Sequence, residues 1–363
     1  MRIAVLGGGN GSFAAAGDLT MAGHEVRLWR RDKDAVATHR AAGSKILVKD
    51  FKGRHEVAVA LVTVDMGEAV RGAELVLCPT PATAQADIAA VLSSHLTDGQ
   101  VVFLPPGTFG SLLLAKTAWE AGNRADVAFA ETGTLPWLAR KHGPFEVAIT
   151  VRAKRLPTGV FPLTRKEHAL AMIARAFPGA IEPCGDALSG ALMNAGPIIH
   201  PPLITMNAGP LEHFERWDIH KEGTQASIRR VTDALDAERI AMREALGYGP
   251  PHFPLANHYA KGGEQWMYGR GAHDRLTDSG DWRERIRLTA HRYMLEDTRI
   301  GLSFLISVGE LAGVATPLAQ AFAAVGGAIC GEDFMATGRS LKSLGFGHLD
   351  RTGLQQLLRT GFA

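Results

Sequence analysis

The sequence predicts an α/β domain built on a parallel sheet over residues 1–184, followed by an all-helical domain over residues 185–363. Three observations carry this. Short apolar runs in the first half (Arg2–Leu6, Val26–Trp29, Glu74–Cys78, Gln100–Leu104, Val127–Ala130) each break off sharply, in a glycine, proline or polar turn or, after Trp29, in two arginines. From Asp186 onward such runs give way to helical periodicity. A chain of 363 residues, 46% apolar and 21% charged, is long for one domain and can bury a sizeable core.

The elements follow in order. Arg2–Leu6 reads as a buried strand. Residues 11–22 are alanine-rich and end at Gly23, which predicts a helix with a glycine C-cap. Val26–Trp29 makes the next strand, so the first 30 residues form a βαβ unit. Residues 46–48 and 57–62 read as short strands and Glu74–Cys78 as a buried one. Residues 82–95 read as a helix, Gln100–Leu104 as a strand, 110–121 as a helix, and Val127–Ala130 as a strand. Residues 145–163 look like a strand pair closing the first domain. Beyond it, Ile228, Val231, Leu235 and Met242 mark one helix face across 225–246, and 297–312 and 317–329 read as two further helices. The glycine-rich segment 261–282, with Trp266, Tyr268 and Trp282, reads either as a mobile substrate loop or as a surface excursion.

Several function classes are excluded. The net charge is +2 without a long basic run, which argues against a nucleic-acid or anionic-membrane surface. The cysteines Cys78, Cys184 and Cys330 are odd in number and far apart, so neither a disulfide framework nor a metal site is expected. No run approaches a membrane span, and the N-terminal apolar run is too short for a signal peptide. A cytoplasmic setting is expected.

Chemistry enters first at the turn Gly7-x-Gly9-Asn10-Gly11-Ser12. Gly7 permits the tight reversal, Gly9 lets backbone approach a pyrophosphate, and the following helix start offers amide donors. Asn10 is expected to cap that helix, and Ser12 is small enough for close helix–strand packing. The competing reading is a glycine turn without ligand. About twenty residues on, where an acid would grip the ribose 2′-hydroxyl of NAD, stand Arg30 and Arg31. Guanidinium groups there suit a 2′-phosphate, so NADP(H) is favoured; Asp32 just beyond keeps NAD(H) in view. The turns after the later strands emerge at the same sheet edge, which makes Thr80, Pro81, Gly107, Glu131 and Thr132 cofactor-proximal candidates.

In the second domain, Asn194-Ala-Gly-Pro-Ile-Ile-His200-Pro-Pro holds prolines 197, 201 and 202, expected to kink or break a helix. His200 beside such a break is a candidate general acid/base, against the alternative of a structural histidine. Arg292 and Asp297 supply a cation that can clamp a carboxylate and an acid that can orient a histidine; the alternative is a salt-bridged surface helix.

These segments resemble the octopine/nopaline (opine) dehydrogenase family, and within it bacterial enzymes of the N-(1-D-carboxyethyl)-L-norvaline dehydrogenase type. VLGGGNG (5–11) is shared with many dehydrogenases, whereas LMNAGPIIHP (192–201), DAERIA (236–241), HRYMLED (291–297), VATPL (314–318) and EDFMATGRSLKSLG (332–345) are more specific. The resemblance implies a Rossmann-type first domain and a homodimer. It implies His200 as acid/base, Asp297 as its partner, Arg292 at a substrate carboxylate, and Asn194 near nicotinamide and substrate. The implied reaction is NAD(P)H-dependent reductive condensation of an amino acid with a 2-oxo acid through an imine. The chain departs from that branch at Arg30, where the branch has aspartate, and at Ser12, Pro105 and Gly196. It departs most over 261–285, so the amino acid is not inherited. The alternatives are a 2-oxo or 3-hydroxy acid reductase of the ketopantoate reductase or glycerol-3-phosphate dehydrogenase type, and a non-catalytic dinucleotide sensor. The reductases use a lysine, and none occurs between 167 and 220.

Overall fold

The computed structural model describes residues 1–259 and 265–362. Its first domain holds twelve strands in two sheets. The strands are β1 (Arg2–Leu6), β2 (Glu25–Trp29), β3 (Lys45–Asp50), β4 (Gly53–Ala58), β5 (Leu61–Thr63), β6 (Leu75–Leu77), β7 (Val101–Leu104), β8 (Ala128–Thr132), β9 (Trp137–Gly143), β10 (Glu146–Arg152), β11 (Leu156–Phe161) and β12 (Ile181–Asp186). The large sheet runs β12-β11-β8-β7-β6-β1-β2-β5. It is parallel from β8 through β5, and β11 joins β8 antiparallel. Ile3 to Leu6, Leu75 to Leu77 and Val101 to Leu104 are fully buried, as strands covered on both faces must be.

The second sheet runs β4-β3-β10-β9 and is where the structure departs from expectation. Residues 145–163 are not a strand pair: β10 joins the small sheet, while β11 joins the large one. The alternating apolar pattern fits a half-buried strand in either sheet, so sequence alone did not separate them. The small sheet covers the helix Asn10–Met21. A Cβ on Gly17 would lie 2.4 Å from Val48 Cγ2, and Asp18 on the same helix accepts from Trp137 Nε1 at 2.7 Å and pairs with Arg152.

β12 runs through residue 184 to Asp186, whose carboxylate accepts from Ser189 N and caps the first helix of the second domain. Helices Gly196–Met206, Ala226–Ala245, Ser303–Ala312 and Pro317–Cys330 follow. Tyr293–Leu302 is wound as a π-helix, a form often found at functional sites, and runs straight into Ser303–Ala312. Prolines 201 and 202 do not break Gly196–Met206: the helix is continuous, with Pro197 tolerated in its first turn. A Cβ on Gly301 would meet Pro197 Cγ at 2.4 Å, so absent side chain there lets the π-helix lie against the proline-bearing helix. Along Ala226–Ala245, Leu235 and Met242 are buried as expected, but so are Asp236, Arg239 and Arg243. Arg239 binds Asp236 at 2.6 Å and donates to the carbonyls of Leu192, His252 and Phe253. One apolar core joins the two domains, with Phe109 of the first against Phe304 of the second at 5.2 Å between ring centroids.

Over its described part the segment 261–282 is not a surface excursion; residues 261–264 lie outside the described residues. Trp266, Tyr268 and Trp282 are all buried. Trp266 stacks on Phe253, and Tyr268 is hydrogen-bonded to Thr134 Oγ1 and Leu135 O. Among the described residues, no helix is long and apolar enough to cross a membrane.

Candidate functional site

The helix Gly196–Met206 and the π-helix Tyr293–Leu302 bring His200 and Asp297 together across 97 residues of sequence. His200 Nδ1 stands 2.7 Å from Asp297 Oδ2. The approach depends on Gly196: a Cβ there would lie 2.2 Å from Asp297 Oδ1. Gly196 N in turn donates to Asn194 Oδ1 at 2.9 Å, and Asn194 Nδ2 donates to Thr108 Oγ1 in the first domain. The His200 ring lies flat on Tyr293, with centroids 3.6 Å apart and an 11° interplanar angle. Tyr293 hydroxyl is 2.8 Å from His220 Nε2, and Trp282 packs edge-on to His220 with Arg140 over its ring. Sequence reasoning missed Tyr293 and His220, because their role is set by packing between distant segments. Tyr293 was nonetheless visible inside the HRYMLED segment.

Electrostatics at this pair favour a neutral imidazole. Burial, then the Arg292 charge, hold His200 well below its ordinary range. Burial pushes the Asp297 carboxyl up to about 7 against the pull of Arg292. Neighbouring Glu296 is likewise raised to about 7 by burial; its Oε1 accepts from Ala82 N in the first domain, and Oε2 has no hydrogen-bond partner among the described residues. The Arg292 side chain is half-exposed, and its guanidinium lies 4.0 Å from Glu296 Oε2. An imidazole whose Nδ1 is engaged by a carboxylate keeps Nε2 for proton transfer.

At the sheet edge, the glycine turn takes the form a dinucleotide needs. Gly7 has φ 110°, and a Cβ on it would strike Ser12 Oγ at 2.7 Å and Thr80 Cγ2 at 2.8 Å. A Cβ on Gly11 would lie 3.0 Å from Pro79 O, whereas at Gly9 it would meet nothing within 4 Å. Gly9 thus opens the helix N-terminus to a ligand backbone, and the residues present fit a pyrophosphate. Ser12 is buried and donates to Leu6 O, which explains a non-glycine there. Asn10 does not cap the helix. Gly9 is the N-cap, and Asn10 Oδ1 accepts from Lys141 N on β9.

The two arginines are not equivalent. Arg30 is half-buried over the glycine turn, where a Cβ on Gly8 would touch its Nε at 2.9 Å. Arg31 is exposed and 3.4 Å from Asp87, and Asp32 caps the helix Lys33–Ala41 by accepting from Ala35 N. Of the edge candidates, Pro81 is exposed and Thr80 is buried beside Cys78 Sγ at 3.2 Å. Glu131 and Thr132 have no exposed surface. Glu131 accepts from Phe109 N and Ser111 Oγ, and a Cβ on Gly107 would fall 1.7 Å from its Oε2. It therefore braces the turn at Gly107, while Thr132 ties β8 to Pro157 O. Arg339, also missed, crosses from the helical domain to Gln85 Oε1 and the carbonyl of Thr108. Among the described residues, no group of histidine, cysteine and acidic side chains is arranged to hold a metal.

A parallel-sheet domain with a glycine turn, joined to a helical domain that carries a His–Asp pair, defines the class of two-domain nicotinamide-dinucleotide dehydrogenases. Residues 2–106 match the NAD-dependent glycerol-3-phosphate dehydrogenase N-terminus, and residues 183–330 match the NAD/NADP octopine/nopaline dehydrogenase alpha-helical domain. The chain is therefore similar to the octopine/nopaline dehydrogenases, by its helical domain and over nearly its whole length. It is 27% identical over 361 residues to an opine dehydrogenase of Arthrobacter sp. (strain 1C), covering 97% of both chains. Its fold matches octopine dehydrogenase solved with NADH and agmatine at a TM-score of 0.74, with 18% identity over 100% of this chain and 98% of that one. It also matches NADP+-bound yersinopine dehydrogenase at 0.67, with 14% identity over 99% and 98%.

Proposed function

We propose that the protein is an opine dehydrogenase, joining an amino acid to a 2-oxo acid by NAD(P)H-dependent reductive condensation. The observation that carries this reading is the His200–Asp297 pair at 2.7 Å, on the helical domain that defines the family. The amine adds to the keto carbon, water leaves, and reduction of the resulting imine gives an N-(carboxyalkyl) amino acid. When bound, the reduced nicotinamide supplies the hydride. His200 takes a proton through Nε2 from the amine as it adds and gives it to the departing oxygen, and in reverse takes one from the attacking water or the secondary amine. Asp297 holds the Nδ1–H tautomer and stabilises the imidazolium as it forms. Arg292 meets a substrate carboxylate and turns one face of the reacting carbon toward the cofactor. Asn194 steadies the turn at Thr108, where it would stand near the nicotinamide and substrate.

The cofactor preferred is NADP(H), supported by Arg30 over the glycine turn. The working form is a homodimer in the cytoplasm. Cofactor oxidation with amino and 2-oxo acids, offered singly and in pairs, tests the reading. An opine dehydrogenase requires both substrates. A ketopantoate- or glycerol-3-phosphate-type reductase turns over without the amino acid, and a dinucleotide sensor turns over with none.

A further inference from the structure

Lys141 lies on β9, a strand of the small sheet, yet its side chain ends at the glycine turn of the large one. Asn10 Oδ1 accepts the Lys141 N–H at 3.0 Å and pins the strand to the first turn of the helix Asn10–Met21. The Lys141 ammonium then stands 3.7 Å from the centroid of the Phe13 ring and 3.5 Å from Gly8 O. Arg30 approaches the same ring at 5.4 Å. Two half-buried cations thus share one aromatic ring beside one turn.

Among the described residues, neither has a carboxylate in contact. The polar partners are carbonyls, Ala35 O at 3.2 Å for Arg30 and Gly8 O for Lys141. Asp32, the acid whose charge reaches Arg30, has its carboxylate engaged by Ala35 N. Burial and the Arg30 charge both lower the Lys141 pKa. Like charges held together in partial burial are unfavourable unless an anion joins them. Phe13 can support the lysine stem and its charge, but it neutralises neither cation.

We propose that Lys141 is the second cation of the cofactor 2′-phosphate site, acting with Arg30 in the place that Arg31 was expected to fill. This rests on the NADP(H) reading above. Arg30 supplies the planar fork and Lys141 a point charge.

The test is binding by full-length protein, read by calorimetry with NADPH and NADH, and with inorganic phosphate as competitor. Lys141→Met keeps the stem over Phe13 and removes the charge. It should weaken NADPH by roughly 10- to 100-fold, the range of a charge-assisted contact, and leave NADH within about twofold. Lys141→Arg should restore most of the NADPH affinity. Phosphate should compete with NADPH in the wild type and lose that effect in Lys141→Met. If the wild type prefers NADPH and Lys141→Met keeps the same ratio, the Lys141 assignment is wrong and the cofactor reading stands. Equal weakening of both cofactors also overturns it. A wild type that binds NADH as tightly as NADPH overturns the cofactor reading itself.

Discussion

Replacing Asp297 by asparagine tests the acid–base pair with almost no change of shape. Asp297 Oδ2 lies 2.7 Å from His200 Nδ1, and once ionised the carboxylate can only accept, so the imidazole must donate through Nδ1–H. An asparagine amide can instead donate to Nδ1 and leave the proton on Nε2, the nitrogen that should accept from substrate. The imidazole is then held in the wrong tautomer and the imidazolium loses its counter-charge. General acid–base catalysis contributes about 10²–10⁴-fold, or roughly 2.7–5.4 kcal/mol of barrier. Turnover of Asp297→Asn should therefore fall by about that range under saturating substrates. His200→Ala should fall comparably, and the double variant little further, because members of one catalytic unit are not additive. Cofactor affinity, measured separately by fluorescence titration, should stay near wild type, since the glycine turn lies in the other domain. Wild-type turnover in either single variant would refute the reasoning, as would a double variant whose loss equals the product of the two single losses.

Other outcomes follow from the same geometry. Gly196→Ala places a methyl 2.2 Å from the present position of Asp297 Oδ1 and should lower turnover while sparing cofactor binding; unchanged turnover would count against a fixed carboxylate. The oxidative direction should rise with pH through about 7, because Asp297 is protonated below that value and its ionisation frees Nε2 as acceptor; Asp297→Asn should abolish this limb of the pH–rate profile. Trp266→Ala removes a core ring packed on Phe253 and should cost about 3–5 kcal/mol in denaturant unfolding, with little effect on which amino acid is accepted. Trp282→Ala, beside His220 and Arg140, should shift the order of preferred amino acids in steady-state comparison; an unchanged order would exclude it from the substrate pocket.

The first βαβ unit and the later parallel strands were legible because buried parallel strands are continuous apolar runs between turn residues. The helix Ala226–Ala245 was legible from its apolar face, but not its buried Arg239, whose partners are carbonyls from distant segments. The small sheet was hidden because its strands alternate in burial and are scattered between strands of the large one. With it were hidden the approach of Lys141 to the glycine turn and the true role of Asn10. The prolines around His200 misled, since a helix packed on both sides can hold two prolines without breaking. His200 and Asp297 were named from local chemistry and family resemblance, yet their contact depends on two residues without side chains, Gly196 and Gly301, whose spatial neighbours no local pattern discloses.

The central claim is tested most directly by the mass of the product formed with cofactor deuterated at the transferable position of its reduced nicotinamide. The expected product is one N-(carboxyalkyl) amino acid, equal in mass to the amino acid plus the oxo acid less water plus one deuterium and one hydrogen, with the deuterium on the former keto carbon. A deuterated 2-hydroxy acid formed with or without amino acid present would contradict it.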